Sequence, residues 1–365
     1  MDPTEPKKIK FKQGASSPFF TSLNLAVNEL LSSGQALEKA KRLLWFKLFF
    51  YSSIHFSGYV FLFAYEHQHF ITFLLNYVWI GVSGIFLAFN VSHDACHDTF
   101  SRNKKVNHFI YHLSFNLQGT NAYLWKIRHI ASHHLFPNVD GCDADIDDNP
   151  LIRLSPQHPH RKHQRYQHIY AILIYSIYTL HWYLIKDFNY LNKERVANLS
   201  KKEHKTGDVL LLYGWKLLYL FILIIYPLMA GYSFKWIIIS FLIMHVANSW
   251  IFIHFLITTH LCLETDFPKP DQDGYLPTDY YVHQLTTSLD YSPTSKLYNF
   301  LFGGFNAHAA HHLYPKLPHT IYPLISGLIK RKAHEFNVPY NESTLLRSIG
   351  SHYKYLKKMG TPVQP

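Results

Sequence analysis

Cysteine is scarce in this sequence. Cys96, Cys142 and Cys262 are the only three in 365 residues, too few and too scattered for a disulfide framework, which points to a reducing, cytosolic side. Acidic residues are outnumbered, 24 against 35 Lys and Arg, for a formal charge of +11. That sign suits a nucleic-acid binder, yet no zinc-finger spacing, RNA-binding signature or basic helix accompanies it. Anionic lipid headgroups or a phosphate-bearing substrate account for the charge better. The start is polar and lysine-rich with no apolar core behind it, so no signal peptide is expected. No internal repeat and no linker marks a second domain. Flavin and nucleotide fingerprints are missing too, so any redox chemistry must draw its electrons from elsewhere.

Histidine is what the chain has in excess, 26 of them. Two clusters fall within 91–134, His93-Asp94-Ala95-Cys96-His97 and His129-Ile130-Ala131-Ser132-His133-His134, and His308-Ala309-Ala310-His311-His312 answers them near the other end. On a helix, residues four apart share a face. His93 with His97, His129 with His133, and His308 with His312 are therefore each expected to present two imidazoles in one direction, with His134 and His311 turned aside toward a second ion. Neutral imidazole is the commonest side-chain metal ligand. Eight histidines exceed what one ion holds, so the clusters predict two. A chain this rich in histidine also repeats the spacing by accident, and the lone pair His108 and His112 reads that way.

Aromatics make up 17% of the chain, a composition familiar from membrane interfaces. Residues 1–42 read as an N-terminal segment. It is loosely attached to residue 21, with Lys7, Lys8, Lys10 and Lys12 near a negative membrane surface, then helical from Ser22 to Lys41. Leu43 to Tyr65 and Phe70 to Asn90 are each long enough to cross a hydrocarbon core, which needs roughly 20 residues. Lys47, in the first turns of the first run, is expected to snorkel to the interface. The polar turn at 66–69 lacks Lys and Arg. Lys39, Lys41 and Arg42 before the pair, and Arg102, Lys104 and Lys105 after it, place both ends in the cytosol. Nothing between His97 and His134 is apolar enough to span, and Asn107 to Gln118 suits the interface.

Three more apolar runs follow, Ile169–Ile185, Val209–Ala230 and Trp236–Leu256. For His308 to meet His93 on one side, only two of them cross. Ile169–Ile185 is the weakest, interrupted by His181 and studded with Tyr170, Tyr175, Tyr178 and Tyr183, so a helix lying on the membrane is expected there. The other two make a hairpin turning at Gly231. His245 and His254, inside the last run, read as packed polar residues. His260 stands alone, with Glu264 one turn on, at the cytosolic end of that run and so close to the clusters. The acidic loop at 140–148 offers carboxylates to orient ligand imidazoles. After the third cluster Pro315 and Pro318 stop the helix, and Thr320 is expected to cap a new one with an apolar stripe of Ile321, Leu324, Ile325, Leu328 and Ile329.

The three boxes, in this order and with two apolar hairpins around them, make the chain similar to integral-membrane fatty acid desaturases, the acyl-lipid and linoleoyl-CoA branch in particular. Ser101-Arg102-Asn103, Tyr123-Leu124-Trp125, His283-Gln284 with Thr286-Thr287, Gly303-Gly304, His311-His312-Leu313-Tyr314-Pro315 and the stretch 350–358 also fit. The resemblance covers roughly residues 45–358, with 43–358 as the desaturase domain and 359–365 as a tail. It implies an all-α integral membrane protein: four transmembrane helices in two hairpins under a cytosolic helical cap, with both termini and the active site cytosolic. It implies that His93, His97, His129, His133, His134, His308, His311 and His312 hold two iron ions, with His260 as a ninth ligand. O2 would be the co-substrate. The acyl group would hang on CoA, carrier protein or a lipid, and two electrons would come from an acidic donor such as cytochrome b5 or ferredoxin. Arg102, Lys104, Lys105, Arg161 and Lys162 would steer that donor.

Three positions depart from relatives. His308 stands where a carboxyl-end desaturase usually has glutamine, Leu256 stands where the Δ9 acyl-CoA branch has a polar residue, and no His-Pro-Gly-Gly haem motif of a fused cytochrome domain occurs. Imidazole also accommodates Zn, Cu and Ni, so the metal's identity comes from the resemblance alone. A related di-iron hydroxylase or ketolase acting on alkanes, sterols or carotenoids is the alternative enzyme. A metal transporter is the alternative from another class, although it would want ligands, carboxylates included, near mid-membrane.

Overall fold

A computed structural model describes residues 8–12, 17–66, 68–199 and 204–362. Lys7, His67 of the polar turn, and part of both the N-terminal segment and the tail lie outside the described residues. The described part of the N-terminal segment is tied down, contrary to expectation. Strand β1, Lys10–Phe11, pairs in parallel with β2, Tyr275–Leu276, and the Phe11 ring stacks on Phe136 at 5.5 Å. Helix α1, Pro18–Leu31, buries Phe19, Leu23 and Val27. The helix expected from Ser22 to Lys41 is two helices, because Gly34 takes a left-handed turn (φ +72°) before α2, Gln35–Ala64.

Among the described residues three helices are long and apolar enough to cross a membrane: α3 (Phe70–Cys96), then, past the bent pair described next, Thr206–Met229 and Phe234–Thr259. The fourth expected span, α2, has 30 residues, ample length at 1.5 Å each. Lys47, Ser52, Ser53 and His55 dilute its apolar character. It packs antiparallel along α3 and turns Phe49, Val60 and Phe61 outward. Gly81 brings α3 against the last of the three: a Cβ there would stand 2.4 Å from Met244 Cγ and 2.6 Å from Asn248 Oδ1, the close approach small residues permit between apolar helices.

The run expected to lie flat on the surface is instead a bent pair, an open V of α4 (Lys162–Ser176) and α5 (Tyr178–Asn192) whose direction turns by 62° at the break. Both arms bond the same acidic segment. Tyr170 donates to Leu151 O at 2.6 Å on one arm, and Tyr190 donates to Ala144 O at 3.0 Å on the other. The bend docks on helix α7 (Phe234–Thr259, after α6, Thr206–Met229): Thr179 Oγ1 donates to His245 O at 3.0 Å and its N–H to Ser249 Oγ at 3.0 Å. Ser249 lies ten residues before Thr259, so at 1.5 Å per residue the bend meets α7 about 15 Å from that end.

The remaining chain caps this bundle. Helices α8 (Tyr280–Thr286), α9 (Lys296–Phe302), α10 (His308–Leu313), α11 (Tyr322–Glu335) and α12 (Leu345–Met359) follow one another over it. Strand β3, Asp290–Tyr291, pairs in parallel with β4, Glu342–Ser343. Helix α11 starts one residue later than expected, and Thr320 bonds Ala40 O at 2.8 Å instead of capping it. Of its expected stripe, Ile321, Ile325 and Ile329 are buried against α1, whereas Leu324 faces outward.

Lys47 does not snorkel. It is wholly buried, its Nζ donating to His319 Nε2 at 2.5 Å and to Asn299 O at 3.2 Å. His319 Nδ1 in turn lies 2.9 Å from Asp94 Oδ2. An apolar run hides such a partner because it lies 272 residues away.

Candidate metal centre

Two of the three histidine boxes sit on widened helical turns. Residues Ala88–Ser92 form a π-turn inside α3 that delivers His93, and His129–His133 form another after the helix Ala122–Arg128. Such single π-turns recur at functional sites. The second has a consequence that the four-residue spacing conceals. In a π-turn the N–H of residue i+5 bonds the carbonyl of residue i, and His134 N–H donates to His129 O at 2.9 Å. His129 therefore pairs with His134 and parts from His133. The expectation that His129 and His133 point together is corrected, whereas His134 and His311 do turn aside, into the group that excludes His133, His308 and His312.

All nine singled-out histidines are buried and fall into two groups. His93, His97, His129, His134 and His311 form one, and His133, His260, His308 and His312 the other; within each, one ring nitrogen per residue lies within 4.8 Å of the rest. In the first group His129 Nε2 stands 3.2, 3.1 and 3.0 Å from the Nε2 atoms of His93, His97 and His134. In the second, His260 Nε2 is 2.6 Å from His308 Nε2 and 3.2 Å from His312 Nε2. Two nitrogens bound at right angles to one ion, each about 2.1 Å from it, stand about 3.0 Å apart. The buried Nε2 of His311 has no protein partner. Nitrogens converging at this spacing fit one metal ion per group.

The outward-facing nitrogens match as well. His133 Nδ1 lies 3.1 Å from Asp143 Oδ1, His312 Nδ1 2.7 Å from Gln284 Oε1, and His260 Nδ1 2.8 Å from Thr287 O. With the proton on Nδ1 each ring donates outward and leaves Nε2 free for a cation, the arrangement metal-binding histidines use. Of the acidic loop, Asp143 is the carboxylate that does this. No spacing in the sequence assigns Gln284 or Thr287 this role, although both lie in the stretches His283-Gln284 and Thr286-Thr287 shared with desaturases. Burial and then neighbouring histidines hold His129, His134, His308, His311 and His312 well below the usual imidazole value, and burial takes His260 to about 3. These rings are neutral at pH 7, with lone pairs to give. His133 runs the other way: burial opposes its charge, but Asp143 and Asp145 outweigh that and raise it.

The other histidines stay apart. His108 and His112 stack on each other at 3.9 Å and join neither group. His245 bonds Thr179 Oγ1 at 3.0 Å, and His254 bonds Trp250 O at 2.7 Å. Glu264 is exposed and accepts from Ser351 instead of facing His260. The three cysteines are free and buried.

A cavity of about 760 Å³ opens beside the two groups and reaches His129, His133, His260 and His308. Its walls are Ile174, Ile177 and Tyr178 at the bend of the V, and Phe252, Ile253, Leu256 and Ile257 on α7. Asp147, Asp148, Lys186 and Lys193 stand at its polar end. A largely apolar cavity of this volume that also reaches histidines of both groups can hold a hydrocarbon chain and present part of it to bound metal.

The family model for fatty acid desaturases matches residues 66–344. The chain is 27% identical over 289 residues to the sn-1 linoleoyl-lipid 6-desaturase of Synechocystis sp., covering 79% of this chain and 80% of that one. It is 28% identical over 287 residues to the enzyme of the same name in Arthrospira platensis (78% and 77% covered). It is 30% identical over 321 residues to acyl-lipid (8-3)-desaturase B of Dictyostelium discoideum (83% and 68% covered).

Proposed function

The chain belongs to the fatty acid desaturase family, and from that premise we propose that its nine clustered histidines hold two iron ions with which it inserts a double bond into a membrane-delivered acyl chain. The observation carrying this is the division of the histidines into groups of five and four, each with ring nitrogens at ligand spacing. When bound, the irons supply what no side chain can: a dioxygen-derived oxidant strong enough to take hydrogen from an unactivated methylene.

The chain's own residues do the rest. Asp143, Gln284 and the Thr287 carbonyl fix the tautomer and tilt of His133, His312 and His260. The walls contributed by Ile174, Tyr178, Phe252, Ile253 and Leu256 hold the acyl chain extended and exclude water. Two hydrogens leave adjacent carbons, O2 accepts four electrons to become two waters, and two of those electrons come from an external donor. Which pair of carbons reacts is then a matter of how far the chain slides in, since orientation at the reacting atoms dominates such selectivity. His308, where carboxyl-end desaturases usually have glutamine, is one of the histidines that line this cavity.

In this reading α2 joins α3, α6 and α7 as the fourth span. The V enters from the cytosolic side and returns to it, and both termini and the metal centre are cytosolic. The donor docks on the basic ridge of Arg102, Lys104 and Lys105. Lipid profiling of a host expressing the chain tests the function: a new double bond is expected, abolished by His133→Ala. A new hydroxyl or keto group in place of unsaturation would overturn it.

A further inference from the structure

Arg128, one residue before the second box, is 3% exposed. Its guanidinium lies over the rings of Tyr190 (4.3 Å) and Trp182 (5.5 Å). Among the described residues only Nη2 is bonded, to Asp145 Oδ1 at 2.9 Å. Nε and Nη1 are buried without a partner among them, and unpaired buried donors are destabilising, more so on a charged group. The side chain lines a cleft of about 30 Å³, room for one or two oxygens, together with Lys193, Arg195 and His204. Among the described residues lining it Glu194 is the one acid, and it is exposed; Lys193 is also bonded to Asp147 at 2.7 Å. Tyr190 and Lys193 line this cleft and also the large cavity, so the cleft adjoins the cavity's polar end.

We propose that this cleft binds a phosphate oxygen of the acyl carrier, so that the substrate is an acyl group on a phosphate-bearing carrier and not on a neutral glycolipid. The inference rests on the desaturase reading and names its substrate class. The guanidinium keeps an unpaired N–H on each of its two edges, Nε on one and Nη1 on the other, and either can donate to an anion oxygen with the strength of a charge-assisted bond. Lys193 and Arg195 at the rim add charge of the right sign. The same phosphate would anchor the carrier end of the acyl chain and so set how far the chain reaches into the cavity.

Equilibrium binding to the full chain in detergent tests this, with one linoleoyl group presented on phosphatidylcholine, on monogalactosyl diacylglycerol and on CoA. The phosphate-bearing carriers should bind at least about tenfold tighter than the galactolipid, a difference of about 1.4 kcal/mol. Arg128→Lys, which keeps the charge but loses the planar set of N–H donors, and Arg195→Gln should both bring that ratio toward one. A lead for phosphatidylcholine or for CoA identifies the source of the phosphate. Equal binding of all three carriers by the wild type, or an unchanged ratio in both variants, overturns the proposal. If the ratio behaves as stated but no carrier yields a desaturated product, the desaturase reading fails and the phosphate cleft stands.

Discussion

Replacing Lys47 with Met removes the cation from a fully buried network. Lys47 lies 2.5 Å from His319, and His319 lies 2.9 Å from Asp94. His319 accepts from the ammonium at Nε2 and donates from Nδ1 to the carboxylate, so the imidazole stays neutral between one positive and one negative charge. With Lys47 gone, the Asp94 carboxylate is left buried and uncompensated. Removing one member of a buried pair typically costs about 3–5 kcal/mol. At about 2 °C per kcal/mol for a chain this large, the melting temperature should fall by roughly 6–10 °C. Asp94 stands between His93 and His97, so retained metal should fall as well. Lys47→Met combined with Asp94→Asn removes both charges and should recover more than half of the lost stability, a coupling that a double-mutant cycle measures. Thermal unfolding in detergent is the assay. A single variant that melts with the wild type, or a double variant no better than the single, would refute the argument.

Asp143→Ala should weaken metal retention by roughly 10–100-fold, the usual effect of removing a partner that orients a ligand, as read by titration with a chelator. His133→Ala should abolish activity and lower bound metal while His112→Ala spares both; equal damage would mean the surface pair had been misjudged. A tag at Lys193 should be reachable from the cytosol, and one at Gly231 only from the other side. Raising ionic strength, or reversing charge at Lys104 and Lys105, should slow donor-dependent turnover without releasing metal. The metal-free chain should hold its stability above about pH 6.5 and lose it as pH falls. There the unfolded state protonates histidines that burial keeps neutral when folded, His260 down to about 3; His133, raised by its aspartates, opposes this in part. Flat stability between pH 7 and 5 would contradict that sign.

The histidine boxes, His260 and three of the long apolar helices were legible in the sequence because each is a local pattern: a spacing, or a run. What escaped depends on partners distant along the chain or on a change of helical pitch. The π-turn at His129–His133 looks in sequence like any four-residue repeat, and only its hydrogen bonds show that His133 leaves His129 for His260. Lys47 looked like an interfacial lysine because its partner is 272 residues on. Residues 169–185 show in the sequence only an interrupted apolar run, since nothing local encodes the bend at Ile177 or its docking on Ser249. The N-terminal segment looked loose because a two-residue strand such as Lys10–Phe11 leaves no periodicity to detect.

Iron stoichiometry bears most directly on the central claim. Elemental analysis and Mössbauer spectroscopy of the chain purified from an iron-replete host should give about two irons per chain, one for each histidine group, in nitrogen-rich surroundings. One metal per chain, or none after reconstitution with ferrous iron, would contradict the account.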